Sequence, residues 1–359
     1  METNPLTSYE LGANPGVRMT DGGEVVIILD QTQLPNREVR YILSEPGELF
    51  EAIAELQVRG APAIGIFAAY ALAVISAHIR AFTFDDFYNE LAERAEYLNS
   101  ARPTAVNLAR ATGRVLAAVR ENSDLPVPEL PLVIRREAYA IHREDIAMCR
   151  AISEYGLTLV KAGDGILTHC NAGPLATSRY GTGLGAILLA QERGIPLHAY
   201  VDETRPLLQG ARLTAYELHN AGVDTTLICD SAASLVMRKG KINAVFVGCD
   251  RVARNGDVAN KIGTSGAAIL AKHYGIPFYV FCPSSTLDPE CATGADIVIE
   301  RRDPDEIRTK FFAEPIAPLG VRAYNPAFDV TDGELITAIV TEKGILRAPY
   351  SESLRVLYE

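Results

Sequence analysis

The chain is poor in positive charge. Its 34 Lys and Arg residues face 45 Asp and Glu, for a net charge of −11. That balance gives no broad positive field and excludes bulk binding to nucleic acid or to an anionic membrane surface. An anionic ligand must instead be held by a few local Arg or Lys side chains. The six cysteines (Cys149, Cys170, Cys229, Cys249, Cys282 and Cys291) contain no Cys-x-x-Cys pair, and no His pair stands at ligand spacing. No metal site and no disulfide framework are expected, and reduced thiols in a cytoplasmic protein are the default. Long apolar runs are also scarce. The strongest, Ala63 to Ala77, is short for a membrane span, rich in Ala and introduced by Pro62, so a helix buried in a soluble core is expected. Met1-Glu-Thr-Asn-Pro5 has no basic segment and no apolar core after it, so no signal peptide is expected. Sequence repeats and low-complexity tracts are lacking.

What is present divides into two parts. A chain of 359 residues, 48% of them hydrophobic, fits two domains with sizeable cores. Two β-like segments, 24–30 and 37–43, flank the turn residues Gln33-Leu-Pro-Asn36 and suggest a small antiparallel unit. Helical patterns follow to about residue 121. Three prolines between Asn122 and Pro131 break them, placing a boundary there: 1–130 as a smaller mixed domain, 131–359 as a second. A long helix over roughly 132–161 leads into the second. Beyond Gly165, strand-like runs at 165–170, 195–202, 224–230, 242–250, 276–283 and 296–300 alternate with helical runs at about 182–193, 207–222, 231–239 and 260–275. Such alternation implies an α/β fold, a Rossmann-like parallel sheet with helices on both faces. A last helix is expected near 333–342.

Several loops concentrate chemistry. Cys170 and Asp250 each stand where an apolar strand gives way to a polar loop, the edge of the crevice where open α/β sheets bind ligands. Either residue alone is as readily a packing thiol or a capping carboxylate; their shared location marks both for proton chemistry. Arg59-Gly-Ala-Pro-Ala-Ile-Gly65 opens the apolar helix and sets an Arg beside N–H groups that attract anions. Ser100 to Asn107 repeats that pattern with Arg102. Asp202-Glu-Thr-Arg-Pro-Leu-Leu-Gln-Gly210 follows a strand, with Arg205 suited to an ion pair and Gln209 to sugar hydroxyls. Asn255-Gly256 supplies a tight turn before Asn260-Lys261, which are expected at a helix start where Lys261 could neutralise a phosphate. Gly181-Thr-Gly-Leu-Gly185 lacks the glycine spacing of a dinucleotide turn and follows its strand too late.

Taken in order, these blocks resemble the methylthioribose-1-phosphate isomerase family: 59–65, 102–107, Thr168-His-Cys-Asn-Ala-Gly173, 202–210, 256–264 and Asn325-Pro-Ala-Phe-Asp-Val-Thr331. The resemblance runs from about residue 24 to 345. The parent superfamily also holds ribose-1,5-bisphosphate isomerases and regulatory subunits of initiation factor 2B, which lack the Cys170–Asp250 pair. The resemblance implies a cofactor-free aldose–ketose isomerase of methionine salvage, a homodimer acting on a small sugar phosphate. It implies Asp250 as general acid/base and Cys170 as second catalytic residue, with Arg59, Gly60, Ala61, Arg102, Gln209, Asn260 and Lys261 binding substrate. Burial beside apolar strands is expected to favour the protonated form of Asp250. Departures occur at Ser265, where the family commonly has Tyr, at Cys249 and at Ser178-Arg179. They leave 5-deoxyribose 1-phosphate, and less readily ribose 1,5-bisphosphate, open as alternatives, together with a non-catalytic regulatory role.

Overall fold

The computed structural model describes residues 5–12, 15–103, 105–318 and 320–357. Met1 to Asn4 and Thr104, which the sequence reading touched, lie outside them. The chain forms two compact units, Met1–Ala147 with Pro174–Gly181, and Met148–Gly173 with Thr182–Glu359. The division falls inside the 28-residue helix Leu130–Leu157; the expected boundary at 130/131 lies at that helix's start.

In the first unit, the strands Val17–Met19, Val26–Leu29 and Arg40–Leu43 form an antiparallel sheet with Val26–Leu29 at its centre. Four helices follow: Pro46–Ala54, Ala61–Ser76, Phe84–Ser100 and Val106–Glu121. Thr83 caps the third by accepting the Asp86 N–H at 3.2 Å. The apolar helix is buried at every residue from Ala63 to Ser76, as its all-round hydrophobic pattern requires. Its small residues set how closely it packs. A Cβ on Gly65 would stand 2.9 Å from the Asn107 carbonyl oxygen on the helix Val106–Glu121. Among the described residues, no helix is long and apolar enough to cross a membrane.

The second unit is built on a seven-stranded sheet. Its spatial order is Gly344–Leu346, Ala338–Thr341, Phe278–Phe281, Ala244–Val247, Gly165–His169, His198–Asp202, Asp224–Ile228. All neighbours are parallel except the first pair. The inner strands are buried along their whole length, which is why they read as continuous apolar runs rather than alternating ones. A smaller sheet places Leu287–Asp288, Arg251–Ala253, Val258–Lys261 and Phe328–Thr331 side by side. The Asn255-Gly256 turn joins its two middle strands, with Gly256 at φ +92°.

Three sequence expectations are corrected. Segment 333–342 is not a helix. A short 3-10 turn, Gly333–Leu335, precedes the strand Ala338–Thr341, whose β-branched Ile339 and Val340 fill the sheet interior. Segment 296–300 forms no strand among the described residues: Thr293 and Asp296 cap a 3-10 turn there, and Val298 is left 93% exposed. The helix expected over 260–275 begins only at Thr264, because Val258–Lys261 pairs with Phe328–Thr331, a partner distant in sequence.

One buried titratable group in the first unit yields a stability prediction. The His142 Nδ1 is hydrogen-bonded with the Tyr70 hydroxyl at 2.7 Å, and burial pushes the pKa of His142 down from 6.5 to about 3. The unfolded chain therefore takes up a proton below pH 6.5 that the folded chain refuses. Stability is fully present above that pH and is lost on acidification at up to about 1.4 kcal/mol per pH unit, down to about pH 3. His142→Gln removes this contribution, so its unfolding free energy, measured by denaturant titration from pH 7 to 4, should fall less steeply than that of the unsubstituted chain.

Candidate functional site

The order of the large sheet determines where ligand chemistry can gather. From Gly165–His169 the chain adds His198–Asp202 and Asp224–Ile228 on one side, then returns to lay Ala244–Val247 on the other. The order reverses between Gly165–His169 and Ala244–Val247, and a crevice opens beyond the carboxyl ends of strands at such a point. Cys170 directly follows the first strand; Asp250 lies three residues past the second. Their loops converge: a Cβ on Gly248 would sit 2.6 Å from that of Ala172. The backbone of Gly183 is similarly tight against Gly248.

Cys170 is held in an unusual posture. It is half-buried and takes φ +64°, a conformation that costs a non-glycine residue about 1 kcal/mol or more. Two hydrogen bonds hold it there. Its N–H donates to Thr204 Oγ1 at 2.8 Å, and its carbonyl accepts from the Thr214 hydroxyl at 2.6 Å. Thr204 is itself at φ +63°, its hydroxyl donating to the Asp202 carbonyl and its N–H to Asp230. Thr204, Thr214 and Asp230 were missed in the sequence reading. The available signal was Asp230, an acidic residue just beyond a third parallel strand, in line with Cys170 and Asp202.

Asp250 departs from expectation. Its N–H pairs with the Ala259 carbonyl at 3.0 Å, but the residue is exposed. Gly248 and Cys249 carry the chain past the apolar strand before Asp250 is reached, so the burial expected for its carboxyl is not found. Cys249 before it is half-buried, and desolvation together with neighbouring Cys282 pushes its thiol well above its usual range.

Asn260 and Lys261 end a strand rather than begin a helix. Buried Asn260 donates to Thr264 Oγ1 at 3.1 Å. Lys261 donates to the Ala327 carbonyl at 3.0 Å, with its ammonium 4.4 Å from the Phe328 ring centre. The helix Thr264–Tyr274 has its N-terminus occupied already. Asp329 accepts the N–H groups of Gly263 and Ser265 and the Ser265 hydroxyl, at 2.7, 3.1 and 2.9 Å. Ser265 thus serves to hold Asp329. This pairing brings the Asn325–Thr331 block against the Asn260–Lys261 block, with Asp329 opposite Asn260 in the register. Gln209 enters a π-helical turn, Gly210–Thr214, and is buried with its Oε1 lacking a hydrogen-bond partner; the Asp202 Oδ1 is in the same condition. Unmet buried acceptors suit a hydroxyl-bearing ligand. Arg205 proves to be a clasp rather than half of an ion pair, donating to the Pro206 and Ile307 carbonyls and lying over Phe312.

His169, Asp202 and Asp230 stand close enough to suggest a cation site. Apart from the Asp202 Oδ1, their donor atoms are committed, however. Asp230 accepts the N–H groups of Thr204 and Arg205, and His169 uses both ring nitrogens. That donor set does not fit a metal ion.

In the first unit, Gly60 precedes the helix Ala61–Ser76 at φ +95°. The Ala63 N–H is taken by the Ala176 carbonyl at 3.2 Å and Pro62 has none, so Ala61 offers the open donor of the first turn among the described residues. Arg59 is half-buried next to it. Arg102 sits in the turn that closes the helix Phe84–Ser100, four residues before the helix Val106–Glu121, rather than at a helix start.

The strand order reverses with a thiol and a carboxyl on the loops beyond the reversal, the place where open α/β sheets bind small ligands. The model of the initiation factor 2 subunit family matches residues 57–348, and the chain belongs to that family. It is 59% identical over 343 residues to a methylthioribose-1-phosphate isomerase of Symbiobacterium thermophilum, covering 95% of each chain. It is 53% identical over 343 residues to a 5-deoxyribose 1-phosphate isomerase of Petrotoga mobilis, covering 96% of this chain and 99% of the other. Among solved structures it is similar to 5-methylthioribose 1-phosphate isomerase from Pyrococcus horikoshii OT3. The TM-score is 0.92 at 40% identity, with 100% and 99% of the two chains covered.

Gly60 has a packing reason to be glycine apart from any ligand. A Cβ there would fall 2.3 Å from the Ala176 carbonyl oxygen and 2.4 Å from its Cα. Gly60→Ala should lower the unfolding free energy by about 2 kcal/mol or more, read from denaturant melts.

Proposed function

We propose that this protein is an aldose–ketose isomerase that converts 5-methylthioribose 1-phosphate to 5-methylthioribulose 1-phosphate in methionine salvage. The observation that carries the reading is the placement of Cys170 and Asp250 on converging loops after the two strands at the sheet's reversal point. The names of its relatives support it.

The chemistry gives each residue type a task. A sugar phosphorylated at its anomeric oxygen has no free aldehyde, so the ring must open first. Asp250, protonated, gives its proton to the ring oxygen; as carboxylate it then takes the proton of the C2 hydroxyl as the ketone forms. The remaining hydrogen moves from C2 to C1. In one path it travels as a hydride beside a neutral Cys170 thiol; in the other, a Cys170 thiolate removes it as a proton and returns it to C1. Retention of C2 deuterium at C1 in ordinary water separates the first path from an exchanging second. Within the second unit, Lys261 neutralises charge on the phosphate, and Gln209 and Asn260 hold sugar hydroxyls. Fixing the sugar in this way lowers the entropic part of the barrier. The protein works without a resident cofactor, as a homodimer in the cytoplasm, in this reading; sedimentation of the purified chain checks the dimer.

Cys170→Ala and Asp250→Asn should each lower turnover by about a thousandfold or more, with melting temperatures within a few degrees of the parent. Near-normal turnover in either variant sinks the assignment of that residue. The Petrotoga mobilis relative favours a second substrate, 5-deoxyribose 1-phosphate. Comparing kcat/KM on the 5-methylthio, 5-deoxy and 5-phospho sugars should rank the methylthio sugar first. A clear preference for the deoxy sugar would move the protein to that reaction.

A further inference from the structure

His169 lies next to Cys170, is 2% exposed, and makes two hydrogen bonds that reach separate segments. Nε2 lies 2.8 Å from the Ile262 carbonyl oxygen and Nδ1 lies 3.0 Å from Asp202 Oδ2. A carbonyl oxygen only accepts, so Nε2 carries a hydrogen. Nδ1 and a carboxylate oxygen at hydrogen-bond distance likewise require a proton between them. Burial opposes charge on His169, but the Asp202 carboxylate and the Ile262 carbonyl outweigh it and the pKa rises; burial also raises that of Asp202. Both directions keep one proton shared between ring and carboxyl.

The partners are what distinguish this histidine from a merely satisfied core residue. Asp202 heads the segment that leads to Gln209. Ile262 directly follows Asn260 and Lys261, and its N–H and the Lys261 ammonium share the Ala327 carbonyl, at 3.1 and 3.0 Å. The ring also lies hard against the turn, since a Cβ on Gly263 would come within 2.8 Å of its Cε1 and Nε2. Moving the ring moves the backbone that carries Lys261.

We propose that His169 is a positioning residue that ties the substrate-holding segment Asn260–Lys261 to the strand end presenting Cys170, through the bond from Nε2 to the Ile262 carbonyl. The proposal rests on the isomerase reading for the identity of what that segment holds. It makes ground-state binding, rather than the hydrogen-transfer step, the quantity that His169 controls.

The test is steady-state kinetics with 5-methylthioribose 1-phosphate on the parent, H169N and H169Q, alongside thermal melts. Glutamine can place its side-chain N–H near the position of Nε2, whereas asparagine is too short to reach Ile262. H169N should raise KM roughly tenfold, the size of one such hydrogen bond, with kcat within about threefold, and H169Q should bring KM back towards the parent. An unchanged KM in H169N overturns the proposal, as does a parallel loss of kcat and stability in both variants with no rescue by glutamine. If H169N does not fold, H169S takes its place, serine being too short to reach Ile262, with the same rise in KM expected and an unchanged KM overturning the idea. If the parent shows no turnover, the isomerase reading fails by itself. Binding of ribose 1-phosphate to the same proteins then reads the tie: weakening in H169N and recovery in H169Q uphold it, and equal affinities overturn it.

Discussion

The parallel pairing of Gly165–His169 with Ala244–Val247 is the constraint on which the second unit depends. Two strands nearly eighty residues apart in sequence lie edge to edge, with His169 opposite Val247. Every other strand of the large sheet is added outward from this pair. Pairing parallel strands at the centre forces the chain to cross over outside the sheet on each return, and it leaves the loops after these two strands facing one opening. The small glycines at 183 and 248 let those loops close on each other. The chemistry proposed for Cys170 and Asp250 is a consequence of that register; a shift of either strand would separate them.

The electrostatics follow from how each polar group is satisfied. The helix Thr264–Tyr274 already has a carboxylate, Asp329, at its positive end. An anion near Asn260–Lys261 therefore meets a neutralised helix terminus, and its charge must be balanced by side chains. In an acidic chain, the phosphate contact proposed for that segment would rest on Lys261 rather than on the helix terminus. Packing sets the first unit's helix start. Gly60 is pinned by the Ala176 backbone, so the first turn of its apolar helix is set by packing before any ligand arrives.

Much of this was legible in the sequence, and what was not has a physical cause. The βα alternation from Gly165 onward, the buried Ala-rich helix and the glycine-marked turns depend on local patterns, and they appear as expected. The strands Val258–Lys261 and Ala338–Thr341 do not, because their partners, Phe328–Thr331 and Phe278–Phe281, are far along the chain and pairing overrides the local pattern. Asp250 was readable as a strand-end acid but not as an exposed one, since two intervening residues decide whether it lies within the apolar layer or beyond it. His169 was visible inside a motif block, yet its function as a link depends on a carbonyl 93 residues away. No periodicity reports such a contact.

The backbone at Cys170 has a further consequence for how the sequence can drift. At φ +64° a residue with a Cβ is under strain that glycine escapes and asparagine tolerates better. Thermodynamic stability and the thiol therefore pull against each other at a single position. Under the role proposed for the thiol, a library selected for heat resistance alone would shed the cysteine there, while one selected for turnover would keep it and accumulate compensation elsewhere, in the core or in helix caps. Position 170 is where the fold's interest and that of the proposed reaction diverge.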